Sequence, residues 1–314
     1  MPASLHELDI FVLHHRTPDL LRQCLARLQP VTPAATVTVV DTDSRDKRPG
    51  VMEQEFPWVR FMSIPNLSLA AAVNAALKLA TRPFVCHMNA DVLVETEPFS
   101  RLLAALAGSD GTVAMAGPCC TTRSGRLQDQ GLPYLRHYLR LKNRSSVDVP
   151  WLSGCMQMVK RDVALAVGGM DTSLRFYNED VDWCYRIRQA GYRCKLVNTR
   201  VVHLGGASTP TDPRHIVEGY RGGYVLSQRY RSGWYRCLHR LVVLLETGWR
   251  IRTTRDPVIR EAYGAVGEMF ARDRFHESPF GTTLGESNPA FLPPSAGSEQ
   301  PERRARQHSR LAEG

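Results

Sequence analysis

Short β-branched apolar runs alternate with Ala- and Leu-rich amphipathic segments along the first 120 residues, and this alternation constrains the fold most. LDIFVL (Leu8 to Leu13) is followed by HHRTPDLLRQCLARL, where Pro18 suits a first helical turn and Leu21, Leu25 and Leu28 recur at helical spacing. TVTVVD (Thr36 to Asp41) and VRFMSIP (Val59 to Pro65) read as the next strands. SLAAAVNAALKLA (Ser68 to Ala80) reads as a helix, PFVCHMNADV (Pro83 to Val92) as a fourth strand and TVAMAGPCC (Thr112 to Cys120) as a further one. Strand and helix at this pace form βαβ units, so an α/β fold with a doubly wound, mostly parallel sheet is expected.

Beyond that region, TTRSGRLQDQG is a polar, mobile loop and WLSGCMQMVK (Trp151 to Lys160) alternates like a strand. Gly168 and Gly169 close a short helix, and KLVNTRVVHLGG (Lys195 to Gly206) is a last strand ending at His203. Residues 1–210 thus form the α/β region, 211–276 a basic amphipathic helical extension, and 277–314 a tail with the Pro/Ser/Gly and charge bias of disorder.

The formal net charge is +9, and it is concentrated. Between Arg214 and Arg260 ten arginines face only Glu218, Glu246 and Asp256. With Trp234, Tyr235, Trp249 and a short apolar run, this stretch suits either a helix on an anionic membrane surface or a helical layer with a solvated basic face. No recognised nucleic-acid motif accompanies the charge, so nucleic acid is not expected as a partner. Eight scattered cysteines without a CxxC pair or zinc-like spacing read as reduced, mostly buried thiols of a cytoplasmic protein. The stretch LVVLLETGW, broken by Glu246, falls well short of the ~20 apolar residues of a spanning helix.

Sheets of this kind bind ligands at the carboxyl ends of their strands. Polar residues collect at those ends: His14, His15 and Arg16 after the first strand, Asp41 after the second, Asn66 after the third, Asn89 and Asp91 after the fourth. No GxGxxG follows the first strand, which removes the main support for a dinucleotide fold. Asp91 at the end of an apolar strand is costly to bury unless paired or metal-bound, and an oxygen-rich site with phosphate suits Mg²⁺ or Mn²⁺. An Asx turn is the bland account of Asn89 and Asp91. Asp41, followed by Asp43, Ser44 and Asp46, can accept from a base or ribose while turn amides lie near phosphate, or can serve turn chemistry alone. Asn74 sits in the Ala-rich helix, and neither it nor Asn66 is diagnostic. His203 is a third metal ligand only if Asp91 holds a metal nearby.

In RFYNEDVDWCYRIRQAGY (Arg175 to Tyr192), Asn178 suits an N-cap, and Glu179, Asp180 and Asp182 favour the helix dipole. Asp182 also has Arg186 four residues on for an ion pair. Asp180 shares a helical face with Trp183, Cys184 and Ile187, which makes it an inward carboxylate and a general-base candidate. Glu179 stays ambiguous between helix electrostatics and catalysis.

Taken in order, VVDTDSRD (Val39 to Asp46), PNLSLAAAVNAAL (Pro65 to Leu77), HMNADV (His87 to Val92), WLSGCMQMVKRD (Trp151 to Asp162), VGGMD (Val167 to Asp171), YNEDVDWCYRIRQAGY (Tyr177 to Tyr192) and VVHLGGAST (Val201 to Thr209) resemble the family 2 glycosyltransferases of GT-A fold, on their bacterial rhamnosyltransferase-like branch. The resemblance spans roughly residues 8–250. It implies a donor half at about 1–115 and an acceptor half at about 116–210. It places Asp41, Ser44, Asp46, Asn66, Asn74, Asn89 and Asp91 on the donor side, with Asp91 and His203 holding Mg²⁺ or Mn²⁺. Asp180 of the Glu179-Asp180 pair becomes the base, and Trp151, Ser153, Gly154 and Trp183 lie on the acceptor side.

The implied reaction is inverting, metal-dependent transfer of a sugar, with rhamnose as candidate, from a nucleotide-diphosphate donor to a glycan or lipid-linked acceptor of bacterial surface polysaccharide. The alternative is a noncatalytic sugar-nucleotide or polysaccharide-binding protein of the same fold. His14-His15 stands where the family has Tyr-Asn, Thr42 where it has Asn, and Ser68-Leu69 where Gly and an aromatic are common, so the donor sugar stays open.

Overall fold

The structure, a computed structural model, describes residues 3–42, 49–108, 111–128, 132–205 and 212–281. The chain divides into two compact units, 1–212 and 213–314.

In the first unit the strands β1 (Leu8–His14), β2 (Thr36–Thr42), β3 (Arg60–Ile64) and β4 (Phe84–Asn89) run parallel, with helices α1 (Pro18–Leu28), α2 (Pro49–Glu55) and α3 (Leu69–Leu79) between them. β1 is buried along its whole length because both faces of the sheet are covered. Ile10 and Val12 join one core with Leu21, Leu25 and Leu28 of α1. Phe11 and Leu13 point the other way, into a second core with Ala70, Val73, Ala76 and Leu77 of α3. Ser68 starts α3 by accepting the Ala71 N–H at 3.0 Å.

The chain continues through β5 (Val92–Leu93), α4 (Thr96–Leu106), β6 (Val113–Thr121), α5 (Leu132–Leu141), β7 (Ser146–Val149), β8 (Met156–Lys160), α6 (Arg161–Ala166), α7 (Glu179–Gln189) and β9 (Arg193–His203). The sheet order is β3-β2-β1-β4-β8-β6-β9-β5, with β7 on β9. β8 is antiparallel to both β4 and β6, so it stitches the first parallel half to the β6–β9 half. The strand expected over 151–160 begins only at Met156, because the Leu152 carbonyl and the Gly154 amide are taken by side chains, as described below. The loop expected after Thr121 turns back at Gly125 (φ 79°) and forms a bridge between Thr121 and Leu127.

The second unit packs α8 (Pro213–Tyr230), α9 (Gly233–Thr253) and α10 (Pro257–Arg272) around Val217, Tyr224, Val243, Val266, Met269, Phe270 and Phe275. Arg221, buried on α8, forks onto Glu218 and donates to the Phe275 carbonyl at 3.0 Å, so this charge pair is hydrogen-bonded as its burial requires. Asp256 caps α10 by accepting from the N–H groups of Val258 and Ile259. No helix among the described residues is long and apolar enough to cross a membrane. Of the tail expected at 277–314, residues 282–314 lie outside the described residues.

Candidate active site

The register of β1 with β2 and β4 sets His14 beside Asp41, and Leu13 beside Asn89, at the carboxyl end of the sheet. His14 Nε2 accepts the Thr17 N–H at 3.1 Å, so its proton sits on Nδ1, which donates to Asp41 Oδ1 at 2.8 Å. The imidazole thereby aims the Asp41 carboxylate. His15 donates from Nδ1 to the Thr42 carbonyl at 2.7 Å, and burial lowers its pKa below the usual imidazole value. Arg16 follows in a left-handed conformation (φ 51°). Asn66 is partly exposed at the end of β3.

The short β5 pairs with the end of β9, Val92 opposite His203, and this brings Asp91 to the histidine. Asp91 is 2% exposed, its Oδ1 has no hydrogen-bond partner, and His203 Nε2 stands 3.5 Å from it. A buried carboxylate oxygen left in this state is expensive. Gln128 grips His203 from the other side: its Oε1 lies 2.8 Å from Nδ1, and its Nε2 donates to the His203 carbonyl at 2.8 Å. Gln128 thus holds the Nδ1 proton and turns Nε2 toward Asp91, the orientation a metal-ligating histidine needs. Burial works against charge on this ring, but Asp91 and the Cys155 sulfur raise its pKa to about 10, so the ring is protonated at neutral pH and a cation at Nε2 would displace that proton. The buried oxygen and the oriented nitrogen fit a divalent cation whose remaining positions would be filled from the donor. Among the described residues no group of three or more His, Cys, Asp or Glu converges on one point.

Asp180, on the first turn of α7, is half-buried. Its Oδ2 accepts the Gly154 N–H and its Oδ1 the Val181 N–H, each at 2.8 Å. Burial pushes its pKa up to about 6, and the two amide bonds pull against that rise. The neighbouring Cys155 carbonyl accepts the Asn89 N–H at 2.9 Å. One dipeptide, Gly154-Cys155, therefore ties the Asp180 carboxylate to the Asn89-Ala90-Asp91 turn. No Cβ fits easily at residue 154, since it would meet the Asp180 Cβ and Oδ2 at 3.3 Å. Beneath this segment Gln157 donates to the Leu152 carbonyl at 2.8 Å and accepts from His87 Nε2 at 3.1 Å. Buried His87, its pKa lowered to about 4 by burial, stays neutral and supports the loop.

Tyr177 and Asn178, just before α7, both adopt left-handed backbones (φ 67° and 69°). Each such non-glycine residue costs roughly 1–3 kcal/mol, a strain found at constrained sites. Asn178 occupies the N-cap position, but its side chain does not cap the helix.

Two expectations change. Trp183 is 0% exposed and packs in the core below His87, ring centroids 6.0 Å apart, so it cannot face an acceptor. Asn74 does not reach toward a donor: its amide donates to the Met170 carbonyl and accepts the Met170 N–H, both at 2.8 Å, clamping α3 to the Gly168-Gly169 turn. Asp182 pairs with Arg186 at 2.7 Å as its spacing predicts, and it is fully buried. Glu179 is buried too. Trp151 is half-buried against Tyr134, centroids 5.0 Å apart, and Ser153 is half-buried beside it. Ser44 and Asp46 lie outside the described residues. His14 carried a sequence signal, a polar residue at a strand end; Gln128 carried none, because only the sheet brings it to a histidine 75 residues away.

Comparison with known proteins matches the family model "Glycosyl transferase family 2" over residues 9–168, just over half of the 314 residues. The chain belongs to glycosyl transferase family 2. Within the family it is similar to the N-acetylglucosaminyl-diphospho-decaprenol L-rhamnosyltransferase of two Mycobacterium tuberculosis strains, 36% identical over 90 residues. That match spans 28% of this chain and 29% of the length of those curated relatives. Among solved structures, S. aureus TarS 1–349 superposes with TM-score 0.57 at 12% identity, over 86% of this chain and 82% of that one. The mannosyltransferase PcManGT from Pyrobaculum calidifontis, in complex with GDP-Man and Mn²⁺, gives 0.52 at 17% identity, over 98% and 81%. GalNAc-T7 with UDP, GalNAc and Mn²⁺ gives 0.56 at 15%, over 86% and 54%. This family 2 chain therefore has the GT-A fold.

Proposed function

We propose that this family 2 chain transfers a sugar from a nucleotide-diphosphate donor, with inversion, to a lipid-linked or growing glycan acceptor in bacterial surface polysaccharide assembly. The observation that carries the reading is the Gly154-Cys155 link, which holds a carboxylate of raised pKa next to the turn bearing the buried Asp91 oxygen. Asp180 takes the proton of the acceptor hydroxyl while that oxygen attacks the anomeric carbon. The bond from that carbon to the diphosphate breaks in line, and its electron pair leaves with the nucleotide. A carboxylate with a pKa of about 6 is ionised, and so a competent base, at neutral pH.

Asp91 and His203 would hold Mg²⁺ or Mn²⁺, with Gln128 orienting the histidine. The cation supplies charge neutralisation for the diphosphate leaving group. Two structural neighbours carry Mn²⁺ with a nucleotide or nucleotide sugar, which supports this use of the fold. Asp41, aimed by His14, contacts the base or ribose of the donor. The rhamnosyl relative makes dTDP-rhamnose the first donor to try, and its decaprenol-linked substrate makes a lipid-linked acceptor the first class on the other side. Such acceptors place the work at the cytoplasmic face of a membrane, with the protein bound peripherally.

The test is a panel of sugar nucleotides with Mg²⁺ or Mn²⁺, read first as protection against thermal unfolding and then as transfer. Transfer that persists unchanged in both Asp180→Asn and Asp91→Ala would overturn the catalytic assignment. It would leave a sugar-nucleotide-binding protein.

A further inference from the structure

The buried residues of α9 are Val243 and Thr247, with Leu244 packed beside them against the core of the second unit. On the opposite side of the same helix Trp234, Leu238, Leu241, Val242, Leu245 and Trp249 recur at helical spacing, each 48% to 70% exposed. The stripe runs about 22 Å along the helix at 1.5 Å per residue. A continuous apolar stripe of this length with a tryptophan at either end is not left to water without use.

Arginine lies at both of its ends. Arg231 stacks over Tyr235 at 5.5 Å and Arg250 over Trp249 at 5.3 Å, while Arg252 and Arg255 are exposed just beyond. The two acids in this stretch are already engaged: Glu246 pairs with Arg250 at 3.4 Å, and Asp256 caps α10. What remains outward is aliphatic surface between two tryptophans, with positive charge at each end.

We propose that the outer face of α9 binds an anionic phospholipid surface, lying flat in the interface with its leucines in the acyl boundary, its tryptophans at headgroup level and its arginines on phosphate. Length and charge fit lying rather than spanning. For its use this rests on the proposed transfer to a lipid-linked acceptor, which a surface-bound enzyme meets in two dimensions. The face itself is an observation independent of that reading.

The full chain is tested by co-sedimentation with phosphatidylcholine vesicles, with and without phosphatidylglycerol, alongside light scattering. The wild type is expected on the phosphatidylglycerol vesicles, with a blue shift of tryptophan emission. Leu238→Glu together with Leu245→Glu is expected to weaken partitioning by roughly 100-fold, about tenfold per leucine. Arg231→Gln and Arg252→Gln should each weaken it about fivefold, an effect that high salt reproduces. The leucines are exposed, so thermal unfolding and its protection by Mn²⁺ with a sugar nucleotide should be unchanged. No vesicle binding by the wild type, or binding equal in the leucine variant, overturns the proposal. So does a dimer that the leucine variant breaks while neither form binds vesicles, because the stripe would then join two copies of the chain. Asp91→Ala is expected to lose donor protection and keep vesicle binding, so failure of the site assignment and failure of this surface are read separately.

Discussion

Replacing Asp180 by asparagine should make the protein more stable and less active, and the gain should depend on pH. Burial lifts this carboxyl from an ordinary value of 3.8 to about 6. At about 1.4 kcal/mol per pH unit, that rise of about 2 units is worth up to ~3 kcal/mol of instability carried at neutral pH. Because the folded pKa lies above the unfolded one, the folded state binds more protons than the unfolded state between about pH 4 and 6. Stability therefore falls as pH rises through that window.

Asparagine is neutral throughout and escapes this loss. It can accept only one of the two N–H groups that Asp180 accepts now, a cost of about 1 kcal/mol. Asp180→Asn is thus expected to be about 2 kcal/mol more stable than wild type at pH 8 and about 1 kcal/mol less stable at pH 4. Urea unfolding at pH 4, 6 and 8 reads the difference. A difference that does not change with pH refutes the burial argument. In the same variant transfer should fall by about 10²–10⁴-fold, as loss of a general base implies. The wild-type kcat/KM should rise with pH up to about 6 and level off above it.

Gln128→Leu should weaken Mn²⁺ binding by roughly 10–100-fold in calorimetry, and Gln128→Glu, which keeps an acceptor for His203 Nδ1, should recover part of it. Gly169→Ala should destabilise the first unit by at least about 2 kcal/mol in denaturant unfolding: φ is 69°, and the new Cβ would land on Asn74 Oδ1, breaking the clamp on Met170. Trp183→Phe should cost about 1–3 kcal/mol of stability and leave the acceptor KM unchanged, since no acceptor can touch a fully buried ring.

The sheet could be read from the chain because its strands are covered on both faces and so appear as unbroken apolar runs, β1 most clearly. The amphipathic helix α4 carries the same kind of signal in Phe99, Leu102, Leu103 and Leu106, all buried. Residues 151–154 misled because their polar and apolar side chains alternate while their backbone does not join the sheet: the Gly154 amide goes to Asp180 and the Leu152 carbonyl to Gln157. Helical period placed Trp183 on the inward face of α7 correctly. Period does not say whether that face meets a cleft or a core, and here it meets the core. Asn74 shows the same limit, since both partners of its amide come from a turn 96 residues away.

The antiparallel β8 also sets an order of events in synthesis. It fills the gap between β4 and β6, yet it is made long after β4, so the ribosome must add about 70 residues before the edge of β4 is covered. At 5–20 residues per second this is a wait of about 4–14 s. During it the apolar edge carrying Val85, Cys86 and Met88 has no partner and can pair with another nascent chain. Expression of this protein should therefore respond to chaperone supply and to translation speed over residues 90–160 more than to changes anywhere in its helices.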